Sequence, residues 1–245
     1  MSPPLSIELI TFDLDNTLWS VEESIGNAMQ AMRRWLEPRM PGFLEALTRE
    51  RFMALRAELL PGDPGLAHDL TRMRRRVLAL ALQQEGLATG EAEALADGAT
   101  DAFLDGRHEL TLYDNAERVL TELASRYTLA ALSNGNADVF RLGLGHCFSF
   151  SCSAAEVGAS KPAPAMFEAA LARAGVSAQA AVHVGDDPVA DIRAAAAVGF
   201  ATVQMCIAHD TDPAAQPAPD AVVRRWLDLP QTLEQLGTRQ QPGSG

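Results

Sequence analysis

The feature that most constrains this chain is a change of period part-way along it. After Tyr113, apolar runs of strand length alternate with amphipathic stretches of helical length. Thr128 to Leu132, Ala181 to Val184 and Ala201 to Cys206 read as strands, and Asn115 to Ser125, Ala163 to Ala174 and Val189 to Val198 as helices. Strands separated by helices pair in parallel through right-handed crossovers. Ile7 to Phe12 reads as a further buried strand near the start of the chain, Ala221 to Val223 as an edge strand, and Pro230 to Leu236 as a closing helix.

Between Val21 and Glu109 the period is helical throughout. Ile25, Met29, Met32 and Leu36 share a face, as do Met73, Val77, Leu80 and, approximately, Gln84, and then Leu95, Ala99, Ala102 and Phe103. The breakers Pro38, Pro41-Gly42 and Pro61-Gly62-Asp63-Pro64-Gly65 divide the stretch into about four helices. The expected fold is α/β: a Rossmann-like parallel sheet from residues 1–20 and 110–245, interrupted by a helical insertion at 21–109. Gln240 to Gly245 reads as a terminal tail.

Composition narrows the partners. Acidic residues outnumber basic ones 32 to 20, for a net charge of −12, so the clustered positive charge that nucleic acid or an anionic membrane requires is lacking. A small metabolite is the expected partner. Cys147, Cys152 and Cys206 have no metal-type spacing and read as reduced thiols. Met1-Ser2-Pro3-Pro4-Leu5 lacks a signal pattern and no run reaches the length of a membrane span, so the expected location is the cytoplasm. Nothing in the sequence speaks to oligomeric state.

In an open parallel sheet, ligands bind beyond the carboxyl ends of the strands. Three of the expected strands end there in polar groups: Asp13 and Asp15, then Ser133-Asn134-Gly135, then Gly185-Asp186-Asp187 with Asp191 beyond, while Lys161 opens a helical loop. Two carboxylates about 4 Å apart repel by roughly 4 kcal/mol at an effective dielectric of 20, so such a cluster calls for a cation. Oxygen ligands without His or Cys suit Mg²⁺, with a substrate phosphate completing its shell. Lys161 and the Ser133 hydroxyl would add charge and hydrogen bonds to a transferring phosphoryl group, along with Asn134 and Gly135 of the same loop. Asp13 reads as a nucleophile that forms an aspartyl phosphate. Asp15, two residues on, reads as the general acid and base, with Thr17 bracing the loop between strand and helix.

The succession Asp13-x-Asp15-x-Thr17, Ser133-Asn134, Lys161 and Gly185-Asp186-Asp187-x-x-x-Asp191 resembles the haloacid dehalogenase-like hydrolase superfamily over essentially the whole chain. The resemblance implies that Asp13 is nucleophile and metal ligand, that Asp15 is acid/base with its carbonyl on the metal, and that Asp186 completes the Mg²⁺ site. It also implies that residues 21–109 are the helical cap. Asp187 and Asp191 are both candidate supports of the metal, with Asp191 favoured as the brace of the lysine and Asp187 equally readable as a helix N-terminal acid before Pro188. A narrower resemblance rests on His68-Asp69-Leu70-Thr71-Arg72, Ser133-Asn134-Gly135-Asn136-Ala137 and His183-Val184-Gly185-Asp186-Asp187. It points to bacterial phosphatases acting on flavin mononucleotide and on the ribitylaminouracil phosphate of riboflavin synthesis.

The expected activity is hydrolysis of a small phosphate ester. A phosphoglycolate or sugar-phosphate phosphatase and a phosphomutase are alternatives, and a catalytically silent binding protein is a remote one. A dehalogenase has no use for Asp15. In the basic cluster Arg72, Arg74, Arg75 and Arg76, the side chains point several ways around a helix; Arg72 is the candidate substrate contact. Trp19 either packs or stacks on substrate, His183 reads as a core histidine, and Asn136 either serves the phosphate loop or caps a helix near Ala137.

Overall fold

Leu9 to Phe12 is apolar apart from one threonine, and every residue in it is buried, as a strand covered on both faces must be. In the computed structural model of the chain, which describes residues 7–207 and 218–239, this segment is β1 (Leu9–Phe12). The remaining strands are β2 (Thr128–Ser133), β3 (Phe150–Ser153), β4 (Ala181–Gly185), β5 (Ala201–Met205) and β6 (Ala221–Val223). They form one sheet in the order β3-β2-β1-β4-β5-β6, every pairing parallel. The Rossmann-like α/β class is therefore observed. The chain runs outward from β1 through β2 to β3 and then returns to the other side of β1, which makes β1 the point where the strand order reverses.

The helices are α1 (Val21–Leu36), α2 (Phe43–Ala46), α3 (Arg49–Leu59), α4 (Leu70–Gln84), α5 (Thr89–Arg107), α6 (Ala116–Ala124), α7 (Ala154–Val157), α8 (Ala165–Ala174), α9 (Ala194–Val198) and α10 (Leu229–Arg239). The chain divides into two compact units: Val21–Leu110 with Gly135–Ala137 is one, and the rest of the described residues are the other. The tail at Gln240 to Gly245 and the stretch Met1 to Leu5 lie outside the described residues.

In the helical unit the buried face of α1 differs from the expected one. Ser24, Ala28, Met32 and Leu36 are buried, whereas Ile25 and Met29 are 37% and 40% exposed. The cause is close packing against α5. A Cβ on Gly106 would lie 2.6 Å from both the Ala31 Cβ and the Asn27 carbonyl, and one on Gly98 would lie 2.2 Å from the Trp35 ring, so Gly106 admits the backbone of α1 and Gly98 leaves room for the Trp35 indole. Ser24 is tolerated in that interface because its hydroxyl donates to the Arg107 carbonyl at 2.8 Å and accepts from the Arg107 guanidinium. In α4, likewise, Ala81 and Leu82 are buried and Gln84 is exposed.

In the sheet-bearing unit, Met166, Phe167 and Ala170 of α8 pack with Leu132, Cys152 and Phe200 under one face of the sheet. The strand β3 was not expected from sequence. Its run Phe-Ser-Cys-Ser alternates buried and half-buried positions at the sheet edge, too short and too polar to stand out as an apolar run.

Candidate active site

The register of the three central strands sets the site. Phe12 pairs with Ala131 on one side and Val184 on the other, so Asp13, Ser133 and Asp186 emerge together at the carboxyl edge. The Asp13 amide still donates to the Val184 carbonyl at 2.9 Å, which ties the residue to the sheet. Beyond it the chain turns: the Thr17 and Leu18 amides both donate to the Leu14 carbonyl, and Asn16 adopts φ 60°, a left-handed conformation that asparagine tolerates better than most residues.

Lys161 is almost fully buried beneath this turn. An ammonium has three N–H donors, and here each finds an acceptor: Asp13 Oδ1 at 2.6 Å, Asp191 Oδ1 at 2.6 Å and the Leu132 carbonyl at 2.9 Å. Burial works against the charge on Lys161, but the adjacent Asp13 and Asp191 carboxylates outweigh it and hold the ammonium above its ordinary range. The backbone of Lys161 is clamped by Asn134, whose amide nitrogen donates to the Lys161 carbonyl at 2.9 Å while its oxygen accepts from the Lys161 amide at 2.7 Å. Asn134 thus places the lysine loop, and both ends of its amide are engaged in doing so.

Asp191 accepts from Lys161 and from His183 Nε2, 3.2 Å away, on Oδ1, and from the Asp187 amide at 3.0 Å on Oδ2. Burial raises its pKa, but the Lys161 charge and the His183 contact prevail and hold it well below the usual carboxylate range. The side chain fits because residue 185 is glycine: a Cβ there would lie 2.4 Å from Asp191 Cγ. Asp13 is displaced the other way. Burial pushes its pKa up, and the Asp191 and Asp186 charges add to that against the opposing pull of Lys161.

Asp186, held through its backbone carbonyl by Gln204 Nε2 at 3.0 Å and approached by the Thr17 hydroxyl at 3.4 Å, is pushed up to about 6 by burial and then by the Asp191 charge. Carboxylate oxygens of Asp13, Asp186 and Asp191 lie within 4.8 Å of one another. These donors fit a hard divalent cation: all three are oxygens, and the one ammonium in contact cannot balance their charge.

Other expected site residues fall as follows. Trp19 is fully buried and donates its indole N–H to Asp15 Oδ1 at 2.8 Å, so it neither simply packs nor presents a stacking face. Ser133 ends β2 and is buried at the strand edge. Asp187 is not brought to the acid cluster. It is exposed, and its Oδ1 accepts from the Val189 and Ala190 amides at 2.7 Å each, capping the π-helical turn Pro188–Arg193. Gly135 groups with the helical unit, where Asn136 Nδ2 donates to the Thr71 hydroxyl at 3.2 Å; no helix begins near Ala137.

Arg72, also in that unit, is exposed and bonded to both Asp63 oxygens at 2.8 and 2.9 Å, while Arg75 pairs with Asp101 at 2.7 Å and Arg74 covers the Phe103 ring at 3.5 Å. Sequence reasoning passed over Thr11 and Gln204 and read His183 as a core histidine, which its full burial bears out, without its partners. Their signal was a polar residue inside an apolar strand, which must find a buried partner.

Comparison with known proteins agrees with this architecture. Residues 7–199 match the haloacid dehalogenase-like hydrolase family. The 5-amino-6-(5-phospho-D-ribitylamino)uracil phosphatase YigB of Escherichia coli K12 is 32% identical over 79% of this chain and 81% of its own length. The ribulose-1,5-bisphosphate 5-phosphatase of Halopiger xanaduensis is 31% identical over 93% and 95%. A solved structure of a 2-haloacid dehalogenase from Pseudomonas syringae pv. Tomato DC3000 is 40% identical, with a TM-score of 0.88 over 94% of this chain and 99% of that one. The chain belongs to the haloacid dehalogenase-like hydrolases. Within that family it is a phosphatase.

Proposed function

We propose that the chain hydrolyses a small phosphate monoester in two steps through a phosphoaspartate on Asp13, with Mg²⁺ held by Asp13 and Asp186. The observation that carries the reading is the pairing of Asp13 on a buried ammonium with Asp15 on a buried indole N–H, one acid set as nucleophile and the other held apart from it. In the first step an Asp13 oxygen attacks phosphorus, the ester P–O bond breaks, and Asp15 passes its proton to the leaving alkoxide. In the second, Asp15 takes a proton from water, the resulting hydroxide attacks the same phosphorus, and the bond to Asp13 breaks to release inorganic phosphate. Bound Mg²⁺ supplies neutralisation of the charge gathered between the carboxylates and the phosphoryl oxygens. Lys161 keeps the Asp13 oxygen in place and offsets its charge, Asp191 braces the lysine, and Ser133 offers a hydroxyl at the phosphoryl position. Phosphate release from p-nitrophenyl phosphate should require Mg²⁺ and stop on adding EDTA; release that persists without a divalent cation would refute the metal assignment.

The kinship with YigB supports a phosphorylated ribityl-pyrimidine or flavin mononucleotide as substrate. A panel that sets these against phosphoglycolate, sugar phosphates and a ribulose bisphosphate should place the ribityl compounds first in kcat/KM, and equal rates across the panel would remove the assignment. The net negative charge supports a small metabolite over nucleic acid as partner, and three buried cysteines outside any disulfide support a reducing compartment such as the cytoplasm. Among the described residues no helix is long and apolar enough to cross a membrane.

A second reading, dehalogenation, has the likeness to the Pseudomonas syringae protein in its favour. It would leave Asp15 and the acid cluster without a role. Halide release from 2-haloacids in the absence of metal is the measurement that would favour it.

The indole bond to Asp15 makes a prediction of its own. Trp19→Phe keeps one aromatic ring, leaves a gap where the rest of the buried indole sat, and removes the N–H donor to a carboxylate, an interaction of about 1.5–3 kcal/mol. Turnover should fall by about tenfold or more as the acid loses its orientation, and the melting temperature should fall with it because a buried side chain is truncated. Steady-state rates beside a thermal melt would show it; full turnover would mean that Asp15 needs no such partner.

A further inference from the structure

His183 sits in the middle of β4 with no exposed surface, and its ring meets the Phe167 ring edge-on at 5.0 Å. Both ring nitrogens have partners: Nδ1 lies 2.8 Å from the Thr11 hydroxyl, and Nε2 lies 3.2 Å from Asp191 Oδ1. An uncharged imidazole offers one donor and one acceptor. Asp191 is an ionised carboxylate between two further donors, so it accepts, and Nε2 must carry the hydrogen. Nδ1 then accepts from Thr11, whose alternative acceptor, the Val182 carbonyl, is farther away at 3.3 Å. The result is a directed chain across the central strands: Thr11 donates to His183, His183 to Asp191, and Lys161 to both Asp191 and Asp13.

We infer that His183 is a positioning residue for the nucleophile, acting through Asp191 and Lys161. A carboxylate that met Lys161 alone would be free to rotate about its last bond and carry the ammonium with it. Three donors from three directions, the Lys161 ammonium, the His183 ring and the Asp187 amide, fix the plane of Asp191. The ammonium is then fixed as well, and so is the Asp13 oxygen, 2.6 Å from it. A histidine present only to fill the core would be replaceable by any apolar side chain of similar size, whereas the directed chain needs a donor at the Nε2 position.

The inference rests on Asp13 being the nucleophile, and the test separates the two. The side-chain amide nitrogen of His183→Gln reaches the Nε2 position; that of His183→Asn reaches only Nδ1; His183→Leu has neither. With saturating Mg²⁺ and p-nitrophenyl phosphate, the Leu and Asn variants should lose about tenfold or more in kcat, the range seen when a partner behind a catalytic group is removed, with KM within about twofold of wild type. The Gln variant should recover most of that kcat, whatever the order of the three melting temperatures. Thr11→Val, which removes only the hydroxyl, should lower kcat in the wild-type background and not in His183→Leu.

A Gln variant no faster than Leu, a loss confined to KM, or a Leu variant at wild-type turnover would each overturn the positioning role. Asp13→Asn belongs in the same assay. If it is inactive while His183→Leu matches wild type, only the role of His183 falls; if it turns over, the reading of the whole site falls.

Discussion

Asp13→Asn is expected to abolish phosphate release, by a factor on the order of 10⁴ or more, because a carboxamide is not a nucleophile toward phosphorus and Asp15, the other acid beyond β1, is held by the Trp19 indole. The loss should come without unfolding. Asp13 is buried with Asp186 and Asp191 nearby, its pKa driven upward first by burial and then by those charges, so removing its charge relieves a repulsion that the metal-free fold bears. The melting temperature of the metal-free variant should equal or exceed that of wild type.

Magnesium should separate the two proteins further. A ligand at one hundred times its dissociation constant adds about 2.7 kcal/mol to stability, so wild type should melt higher when Mg²⁺ is added and the variant should show little of that gain. Phosphate release and paired thermal melts settle both points. Retained turnover in the variant would exclude a phosphoaspartate on this residue.

Lys161→Met is the second large effect, and it differs in kind. Removing the ammonium leaves Asp13 and Asp191 buried without their shared counter-charge, and breaking a buried pair on one side costs about 3–5 kcal/mol. Turnover should also drop by about 10²–10³ through loss of the fixed charge beside the nucleophile. The deficit in stability should depend on pH. Asp191 in the wild type has a lowered pKa, so its contribution is present above the ordinary carboxylate range and is lost only as the pH falls through its own lowered value. Lys161 has a raised pKa, so its contribution is present below the ordinary lysine range and is lost only as the pH rises through the raised value. In the variant the orphaned carboxylates take up protons more readily. The gap between the two proteins, measured by denaturant unfolding, should therefore narrow as the pH falls from neutral into the carboxylate range. A gap that widens in acid would mean that Lys161 does not stabilise these charges.

The strands β1, β2, β4, β5 and β6 were legible as apolar runs, a pattern that the serines of β3 interrupt, the long helical excursion was legible from its period, and the acids were legible because they follow strand ends. What the sequence left hidden was the partner of each side chain. Asn134 looked like a phosphate ligand and clamps the Lys161 backbone; Asp187 was open to a metal-support and a helix N-terminal reading, and it caps a turn as the second has it; Trp19 looked like packing or a stacking face and holds Asp15. Residue type says that a group will seek a hydrogen bond, whereas which partner it meets depends on strand register and loop path. The misplaced face of α1 has the same origin. Ile25 and Met29 match a helical period as well as Ala28 and Met32 do, and the choice between faces was made by two glycines on α5, Gly98 and Gly106, far away in sequence.

The chain departs for its helical excursion just after Trp19 and comes back at Leu112, and those two residues bridge in antiparallel fashion while the Tyr113 amide donates to the Leu18 carbonyl at 2.8 Å. Departure and return are thus stitched together within the sheet-bearing unit itself. Loop-closure entropy grows only logarithmically, about 0.6 kcal/mol for each doubling of length. A splice at this seam therefore exacts nearly the same toll whether the intervening segment is short or long. For inheritance, this means that Val21–Leu110 is free to change in length or to be exchanged at little cost in chain closure, while Asp13, Asp15 and Asp186 stay in the sheet-bearing unit.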